Sequence, residues 1–223
     1  MLILFNVLFY MLMWSYWTAS LGEPGAVPKN WGYEFNQTGV VKRRFCLTCQ
    51  CFKPERCHHC SACNRCVLNM DHHCLWLNNC IGFWNRKAFM LTLMYAQIIT
   101  IFIQVTLLKD FVEALKWGFS DEFQSKYDDD FNKQMLILIT YILNSIILVV
   151  ITIFLKFHWM LATENKTTIE NIEHCDLQFW SKYDVGKREN LAQIFGSNPF
   201  NYALPIRGKP HGDGLTFEVR SSY

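Results

Sequence analysis

Three long apolar blocks without a charged residue constrain this chain more than any other feature of its sequence. Residues 88–108 and 135–155 each run for 21 positions without Asp, Glu, Lys or Arg, and residues 1–21 form the first block. At about 1.5 Å per residue such a helix is about 31 Å long, which matches the hydrocarbon core of a bilayer. Buried core helices of a soluble domain are the alternative, but they rarely run about five turns without a charge on any face. The blocks therefore predict three membrane-spanning helices.

The first block is not typical of a secretory signal peptide, because it lacks a basic start and its apolar stretch is too long. The aromatic residues near its end, Trp14, Tyr16 and Trp17, suit the membrane interface. A hydrophobic content of 51% and an aromatic content of 16% exclude a disordered chain. A formal net charge of only +2 argues against a nucleic-acid partner.

The charges between the blocks predict the orientation of the chain in the membrane. Residues 22–87 carry nine Lys and Arg, whereas residues 109–134 carry four lysines against seven acidic residues. The positive-inside tendency places residues 22–87 and the tail 156–223 in the cytosol, and the loop 109–134 in a lumen or outside the cell. The sequons at Asn36 and Asn165 are then cytosolic, and we expect both to remain unglycosylated.

A cysteine-rich repeat lies in the predicted cytosolic segment, where disulfides are disfavoured and metal binding is the better expectation. The spacing Cys-x2-Cys-x9-His-x6-Cys occurs twice, the second time shifted by 14 residues. Each copy offers three thiolates and one imidazole, a standard tetrahedral zinc set. The first copy is Cys46, Cys49, His59 and Cys66, and the second is Cys60, Cys63, His73 and Cys80. The spacing also permits sequential grouping, for example Cys46, Cys49, His59 and Cys60, but the repeat favours two interleaved sites.

Cys74 belongs to neither copy, although it lies between their ligands. A third unit starting at Cys74 would need ligands at positions 77, 87 and 94, which are Leu, Lys and Met. His72 is also left over, and Asp71 precedes it. A thiol, an imidazole and a carboxylate are the parts of an activated cysteine nucleophile, in which His72 takes the thiol proton and Asp71 orients His72. The alternative is that all three side chains only line a structural zinc module.

These residues spell Asp71-His72-His73-Cys74, and the segment from Cys46 to Cys80 resembles the cysteine-rich domain of DHHC-type protein S-acyltransferases (palmitoyltransferases) without a gap. Three shorter stretches also resemble family motifs, so that the likeness covers nearly the whole chain. They are Glu23-Pro24-Gly25 for Asp-Pro-Gly, Thr167-Thr168-Ile169-Glu170 for Thr-Thr-x-Glu, and the stretch from Asn190 to Gly196 for the C-terminal motif. The resemblance implies an α-helical integral membrane protein of the endomembrane system (Golgi, endoplasmic reticulum or plasma membrane). Its cytosolic, loop-rich two-zinc domain is inserted between the first and second helices of this chain.

The resemblance also implies a two-step acyl transfer that uses long-chain acyl-CoA as substrate and two structural zinc ions. Cys74 would take the acyl group, and a cysteine of a cytosolic or membrane-bound substrate protein would receive it. In the family the acyl chain lies among the membrane helices, with a tryptophan at the position of Trp76 near the cavity mouth. Basic side chains of the cytosolic domain would meet the CoA phosphates, and the candidates are Arg43, Arg44, Arg65, Arg86 and Lys87.

The sequence departs from the family pattern in three places. Leu75 replaces the usual proline after the catalytic cysteine, which loosens the turn but removes no reactive group. Glu23 replaces an aspartate and keeps its charge. The family typically has four spans, two of them before the cysteine-rich domain, so we expect that a first helix, which lines the acyl cavity, is missing through truncation or an incomplete gene model.

The remaining residues carry weaker expectations. Cys51, Cys57 and Cys175 are expected to be ordinary thiols, and His158 to have a structural role at the membrane interface. The spacing of Leu191, Ile194 and Phe195, followed by Gly196, predicts a short amphipathic helix.

A different class of function competes with the enzyme: a catalytically impaired, membrane-anchored zinc scaffold. Leu75 and the short N-terminus favour it. The intact Asp71, His72 and Cys74 weigh against it, because a scaffold needs no spare thiol beside a base.

Overall fold

The structure, a computed structural model, describes residues 1–33, 43–118, 129–173, 181–206 and 212–220. The helices are α1 (Leu2–Leu21), α2 (Arg86–Gly118), α3 (Asp129–Thr163), α4 (Thr168–Glu173) and α5 (Lys187–Phe195), followed by a 3-10 helix (Pro199–Asn201). Between α1 and α2, the described segment 43–85 contains six short strands, β1 (Arg44–Cys46), β2 (Cys51–Lys53), β3 (His58–Cys60), β4 (Arg65–Val67), β5 (His72–Cys74) and β6 (Asn79–Ile81). The predicted sequon at Asn36 and the thiol of Cys175 lie outside the described residues.

Within the described residues, three helices are long and apolar enough to cross a membrane, namely α1, α2 and residues Phe131–Thr163 of α3. This confirms the predicted fold class, a helical membrane protein with a cysteine-rich insertion between its first two helices. The helices extend beyond the uncharged blocks, because α2 runs for 33 residues and α3 for 35. Charged residues end an apolar block but not a helix, since Lys, Glu, Ala and Leu are good helix formers. Much of the segment 109–134, predicted as a loop, is therefore helical.

The chain divides into two compact units, the first of which comprises residues 1–10 and 93–156. Within it, polar side chains of α2 and α3 pair with each other. Gln97 Nε2 donates to Thr152 Oγ1 (3.0 Å), and Gln104 Nε2 donates to Ser145 Oγ (2.7 Å). Such hydrogen bonds satisfy polar groups that the hydrocarbon core cannot solvate, and they hold membrane helices together.

The second unit, residues 11–92 and 157–223, contains the strands. They form three antiparallel hairpins, β1–β2, β3–β4 and β5–β6 (hairpins 1, 2 and 3). Their registers pair Arg44 with Lys53, His58 with Val67 and His72 with Ile81, so each hairpin repeats the previous one after 14 residues. Each turn ends on a residue with positive φ, at Gln50 (49°), Asn64 (50°) and Asn78 (48°). The backbone thus repeats three times, although the ligand pattern repeats only twice.

Hairpin 3 is attached to the end of α1 by side-chain amides. Asn79 Nδ2 donates to the carbonyls of Ala19 (3.1 Å), Ser20 (3.0 Å) and Gly22 (2.8 Å), and Asn85 Nδ2 also reaches Ala19 (3.2 Å). The last carbonyls of a helix lack intrahelical partners, so these amides supply the missing donors. The tip of hairpin 3, which carries Cys74, is therefore held where the α1 span ends.

The Glu23-Pro24-Gly25 turn connects α1 to hairpin 2. Glu23 forms an ion pair with Arg65 and accepts the Gly25 backbone N–H at 3.0 Å. Gly25 has φ +130°, which side-chain-bearing residues rarely adopt, and its carbonyl accepts the Leu68 N–H at 3.1 Å. The glycine is thus required by the backbone, and the acid at position 23 is required by its pairing.

Candidate functional site

The cysteines and histidines of the hairpins gather into two clusters, each with its ligand atoms within 4.8 Å of one another. The first cluster is Cys46, Cys49, His59 and Cys66, and the second is Cys60, Cys63, His73 and Cys80. Each takes two cysteines from the turn of one hairpin and a cross-strand pair, His59 with Cys66 or His73 with Cys80, from the next. The structure therefore brings together the interleaved groups and not the sequential alternative.

The spacing of the donor atoms fits a tetrahedral zinc ion. Ideal zinc–sulfur and zinc–nitrogen bonds place neighbouring sulfurs about 3.8 Å apart and sulfur about 3.6 Å from nitrogen. Cys63 Sγ lies 3.5 Å from Cys80 Sγ and 3.4 Å from His73 Nδ1, and Cys49 Sγ lies 3.2 Å from His59 Nδ1. When bound, zinc would cross-link adjacent hairpins whose strands are only three residues long.

Hairpin 3 has the backbone of a metal-binding turn but not its second ligand. In hairpins 1 and 2, the sulfurs of Cys46 and Cys60 accept the backbone N–H of Cys49 and Cys63, each at 3.4 Å. At the equivalent position in hairpin 3, the backbone N–H of Leu77 faces the Cys74 sulfur and lowers its pKa. An apolar side chain thus occupies the position of the second cysteine, and Cys74 keeps thiolate-stabilising N–H groups without a metal.

His72 is oriented by Asp71 on one side of its ring. Its Nδ1 donates to Asp71 Oδ2 at 2.7 Å, whereas Nε2 is buried and has no hydrogen-bond partner within the described part of the chain. Because Asp71 fixes the proton on Nδ1, the Nε2 atom carries the lone pair. The ring is therefore held in the tautomer that can accept a proton.

The pKa values of the two neighbouring groups move in opposite directions. Burial alone would lower the pKa of His72, but Asp71 and Cys74 together raise it to about 9. Burial alone would raise the pKa of Cys74, but His72 and the backbone N–H groups of Leu77 and Trp76 lower it. The spare thiol of Cys57 differs, because burial raises its pKa to about 11. These shifts favour a proton on His72 and a thiolate at Cys74.

Asp71 is completely buried, and residues far away in the sequence surround it. Its Oδ2 accepts Thr168 Oγ1 at 2.8 Å, and its Oδ1 accepts the Thr168 backbone N–H at 3.1 Å. The Arg86 guanidinium lies 3.4 Å from Oδ1. Burial would raise the pKa of Asp71, but Arg86 and His72 hold it well below the usual range. The carboxylate thus stays charged and in one orientation.

The Thr-Thr-x-Glu stretch forms the start of α4, and its first threonine and its glutamate pair with each other. Thr167 Oγ1 accepts the Glu170 N–H (3.2 Å), and Glu170 Oε2 accepts the Thr167 N–H (2.9 Å). This reciprocal pair is a capping box, which fixes the N-terminus of α4. Because that N-terminus is fixed, Thr168 is positioned to contact Asp71.

Glu170 also pairs with Arg56, which lies between hairpins 1 and 2. Arg56 donates to both Glu170 carboxylate oxygens, at 2.7 and 2.8 Å, and to the side-chain oxygen of Asn165 at 2.8 Å. Its guanidinium lies over the rings of Tyr183 (4.4 Å) and Phe217 (5.0 Å). One buried cation therefore connects the hairpins to α4 and to two later segments of the chain.

Asn190, at the start of the C-terminal motif, caps the end of α3. Its Nδ2 donates to the Thr163 carbonyl at 2.8 Å, and its Oδ1 accepts the Val185 N–H at 3.2 Å. Asn190 itself lies in helix α5, which ends at Phe195 with Gly196 as its C-cap, as the apolar spacing predicted. The motif thus holds the tail against the end of the last span.

The five basic candidates for CoA contacts lie in different surroundings. Arg86 and Lys87 are buried, and they donate to the carbonyls of Lys166 (2.7 Å) and Asn201 (2.8 Å). Arg65 pairs with Glu23.

Arg43 and Arg44 line a surface groove of about 700 Å³ together with Lys53 and Lys182. Of the five candidates, Arg43 and Arg44 therefore lie in this basic groove, and the sequence did not point to the neighbouring Lys53 and Lys182.

The side chains that follow Cys74 are exposed at the hairpin tip. Leu75 is 83% exposed and Trp76 is 87% exposed. The Trp76 carbonyl accepts the Tyr16 hydroxyl at 3.2 Å, and the Leu77 carbonyl accepts Ser20 Oγ at 2.7 Å. Since Tyr16 and Ser20 belong to the last turns of α1, these two apolar side chains lie at the end of a membrane span.

Comparison with known proteins identifies the family. Residues 40–175, more than half of the chain, match the family described as DHHC palmitoyltransferase. The chain is 34% identical to probable protein S-acyltransferase 12 of Arabidopsis thaliana, over 95% of this chain and 75% of that protein. It is 32% identical to palmitoyltransferase ZDHHC15A of Danio rerio, over 98% of this chain and 73% of that protein. The chain therefore belongs to the DHHC palmitoyltransferase family of protein S-acyltransferases.

Proposed function

We propose that this chain transfers a long-chain acyl group from acyl-CoA to Cys74, and from there to a cysteine of a substrate protein. The observation that carries the proposal is the set Asp71, His72 and Cys74, in which a thiol outside both metal clusters lies beside an imidazole oriented by a buried carboxylate. Leu75, which replaces the usual proline of the family, leaves all three residues of this set in place. The scaffold alternative gives no reason for this arrangement.

In the first step, the Cys74 thiolate attacks the carbonyl carbon of the thioester. A bond forms between Cys74 Sγ and that carbon, and the bond from the carbon to the CoA sulfur breaks. Protonated His72 gives its proton to the departing CoA thiolate, so free CoA leaves as a thiol. Asp71 stays ionised and stabilises the imidazolium before the proton is transferred.

In the second step, the thiol of the substrate protein gives its proton to His72 and attacks the acyl carbon on Cys74. The bond between Cys74 Sγ and the acyl carbon breaks, which restores the Cys74 thiolate and protonated His72. The same imidazole thus serves as acid in one step and as base in the next.

The position of Cys74 suits a substrate that is half lipid and half water-soluble. The thiol lies at the end of the α1 span, beside the exposed Leu75 and Trp76. An acyl chain can remain in the apolar layer, with Trp76 as a candidate contact, while the nucleotide part of CoA stays in water. Arg43, Arg44, Lys53 and Lys182 line a groove that offers positive charge for its phosphates.

The charge distribution supports a cytosolic position of the hairpins, in an endomembrane, where acyl-CoA and substrate proteins are available. The Asn165 sequon agrees with this orientation. Its side-chain amide is buried and donates to the Tyr183 carbonyl at 2.7 Å and to Gln193 at 2.9 Å. A glycan on Asn165 would replace one of the two Nδ2 hydrogens, so at least one of these hydrogen bonds would be lost.

The proposal is tested by acyl transfer to the protein itself. We expect the purified chain, in detergent or nanodiscs with radiolabelled palmitoyl-CoA, to gain a label that hydroxylamine removes. Cys74→Ser should remove more than about 95% of this label, because it deletes the nucleophile. Cys51→Ser, which changes a half-buried cysteine outside both clusters, is the matched control and should retain it.

Two results would count against this proposal. If the unmodified chain takes no label, the scaffold function is favoured. If Cys74→Ser keeps the label, another cysteine is the acceptor.

A further inference from the structure

His158 lies in the last two turns of α3, and the proposed mechanism does not use it. Its sequence position predicted an interfacial role, but it is 2% exposed. Its Nδ1 atom lies 3.8 Å from Asp71 Oδ2. Its ring lies 5.4 Å from the ring of His72 and 4.8 Å from that of Phe89, and His72 lies 5.2 Å from Phe89. The rings of His158 and Phe89 therefore pack against each other and against the His72 imidazole that the proposed reaction needs.

We infer that His158 is a positioning residue of the acyl-transfer site, which holds Asp71 and the His72 ring in one arrangement. The inference rests on the proposed function, since it concerns how His72 reaches Cys74. His158 does not touch substrate in this proposal, and it exchanges no proton. It acts through an N–H directed at the Asp71 carboxylate and through ring packing against His72.

The surroundings of His158 show why a buried imidazole at this position indicates a polar partner. The neighbouring α3 residues Phe157 and Leu161 are apolar, and Leu161 is completely buried. A buried polar ring among such residues destabilises a fold unless a polar partner compensates. The nearby charged or titratable groups are Asp71, His72 and Arg86. Among these three, Asp71 is the anion, with Oδ2 3.8 Å from His158 Nδ1, and it is also the residue that orients His72.

The contacts of His158 restrict two movements in the site, that of the Asp71 carboxylate and that of the His72 ring. Asp71 Oδ2 accepts His72 Nδ1 and Thr168 Oγ1, and His158 lies on a further side of the same oxygen. The His72 ring can turn about its χ2 bond unless its faces and edges are packed, and Phe89 and His158 supply that packing. If the ring turned, Nε2 would no longer point towards the thiol. Loss of His158 should therefore slow acyl transfer without weakening acyl-CoA binding.

The test compares substitutions that separate ring packing from the polar contact. His158→Phe keeps a ring but removes the N–H. His158→Asn keeps a nitrogen near the Nδ1 position, and His158→Gln moves it towards the Nε2 position. Trp159→Phe, a change at the 40% exposed neighbour on α3, is the control and should behave like the unmodified chain.

We expect His158→Phe to lower the single-turnover rate of label transfer from palmitoyl-CoA to Cys74 by about 10–100-fold, the effect of a misplaced catalytic group. The KM for palmitoyl-CoA should change less than about twofold, because no group in contact with CoA is altered. His158→Asn should recover at least part of the rate, and His158→Gln should not. Zinc content and melting temperature identify any variant that fails to fold.

Several outcomes overturn the inference. A His158→Phe rate equal to that of the unmodified chain does so, and so does a rise in KM that accounts for the whole loss. If His158→Phe does not retain zinc, the Asn and Gln variants decide, and equal rates for these two exclude a polar contact with Asp71. Failure of the proposed function looks different, because the unmodified chain would then take no hydroxylamine-sensitive label.

Discussion

Arg56 carries no reactive role, yet its buried guanidinium makes more directional contacts than any other basic side chain described above. It has positive φ (59°), its side chain is 1% exposed, and its bidentate partner Glu170 is 13% exposed. A buried ion pair is expensive to break, because removing one partner leaves the other charged and unsolvated. The capping box of α4 depends on the same carboxylate, so the pair influences the position of Thr168.

We therefore predict that Glu170→Gln lowers the free energy of unfolding by about 3 kcal/mol, the usual cost of leaving a buried charge unpaired. The pKa of Glu170 is lowered, because the hydrogen bond and charge of Arg56 outweigh its burial. The carboxylate then stabilises the fold above its unfolded pKa, near 4.3, and this contribution is lost as pH falls through the lower folded pKa. Thermal melting from pH 7 down to about pH 2.5 should show a weaker acid dependence in Glu170→Gln than in the unmodified chain, with the difference developing below about pH 5.

Glu173→Gln is the control for this prediction, because Glu173 lies on the same helix and is exposed. It should leave both the melting temperature and its pH dependence unchanged. Equal effects of the two substitutions would mean that a general change in charge, and not the Arg56 pair, determines acid stability.

At the scale of elements, α4 connects the membrane end of α3 to Asp71 although it has only six residues. Helices this short are not stable by themselves, so the capping box and the contacts with Asp71 and Arg56 must hold it. The two adjacent threonines have separate partners: Thr167 caps the helix, and Thr168 binds the carboxylate. Substitution of each threonine can therefore separate helix stability from site geometry.

Thr168→Val keeps the shape of the side chain but removes the Oγ1–H that reaches Asp71 Oδ2. We predict a fall of about tenfold or more in the single-turnover acyl-transfer rate, because a hydrogen bond to a charged group contributes about 1.5–3 kcal/mol. Thr168→Ser should recover most of the rate. Thr167→Val should instead lower the melting temperature, since a lost N-cap costs about 1 kcal/mol, with a near-normal rate in the folded protein. Equally slow transfer in both valine variants would show that α4 as a whole, and not the Thr168 hydroxyl, determines the rate.

The hairpins show what a sequence repeat can and cannot predict. The 14-residue shift predicted which cysteines and histidines belong together, because tetrahedral zinc requires a fixed donor set. It did not predict the third hairpin, because the shifted positions were compared only for residues that can bind a metal. Leu77 cannot bind zinc, but Asn78 adopts the same left-handed backbone as Asn64 and Gln50, so the turn keeps its shape without the second ligand. A comparison of turn residues, and not of ligands, would have indicated it.

At the scale of the molecule, hydrophobic blocks predicted the three spans because hydrocarbon excludes charges over a known thickness. The contacts around Asp71 could not be predicted in this way. Thr168 lies 97 residues from Asp71 in the sequence, and Arg56 lies 114 residues from Glu170. Such pairs depend on how the chain returns to the hairpins after the last span. The sequence likewise assigned His158 to the membrane interface, because its position beside Trp159 contains no information about a contact with Asp71.

The two units should respond differently to the loss of metal, and this gives the last prediction. Strands of three residues bury little apolar surface, so the hairpins depend on the metal clusters for stability. The spans of the other unit are held by backbone hydrogen bonds and by pairs such as Gln97 with Thr152, which involve no metal ligand.

A strong zinc chelator should therefore remove about two zinc ions per chain, abolish acyl transfer and expose Arg44, Lys53 and Arg65 to trypsin. Helical circular dichroism should fall only slightly, because the spans contain no metal ligand. Trypsin resistance of the hairpins after complete metal removal would contradict this view, because it would mean that side-chain packing around Val67, Leu68 and Phe83 is sufficient to hold them.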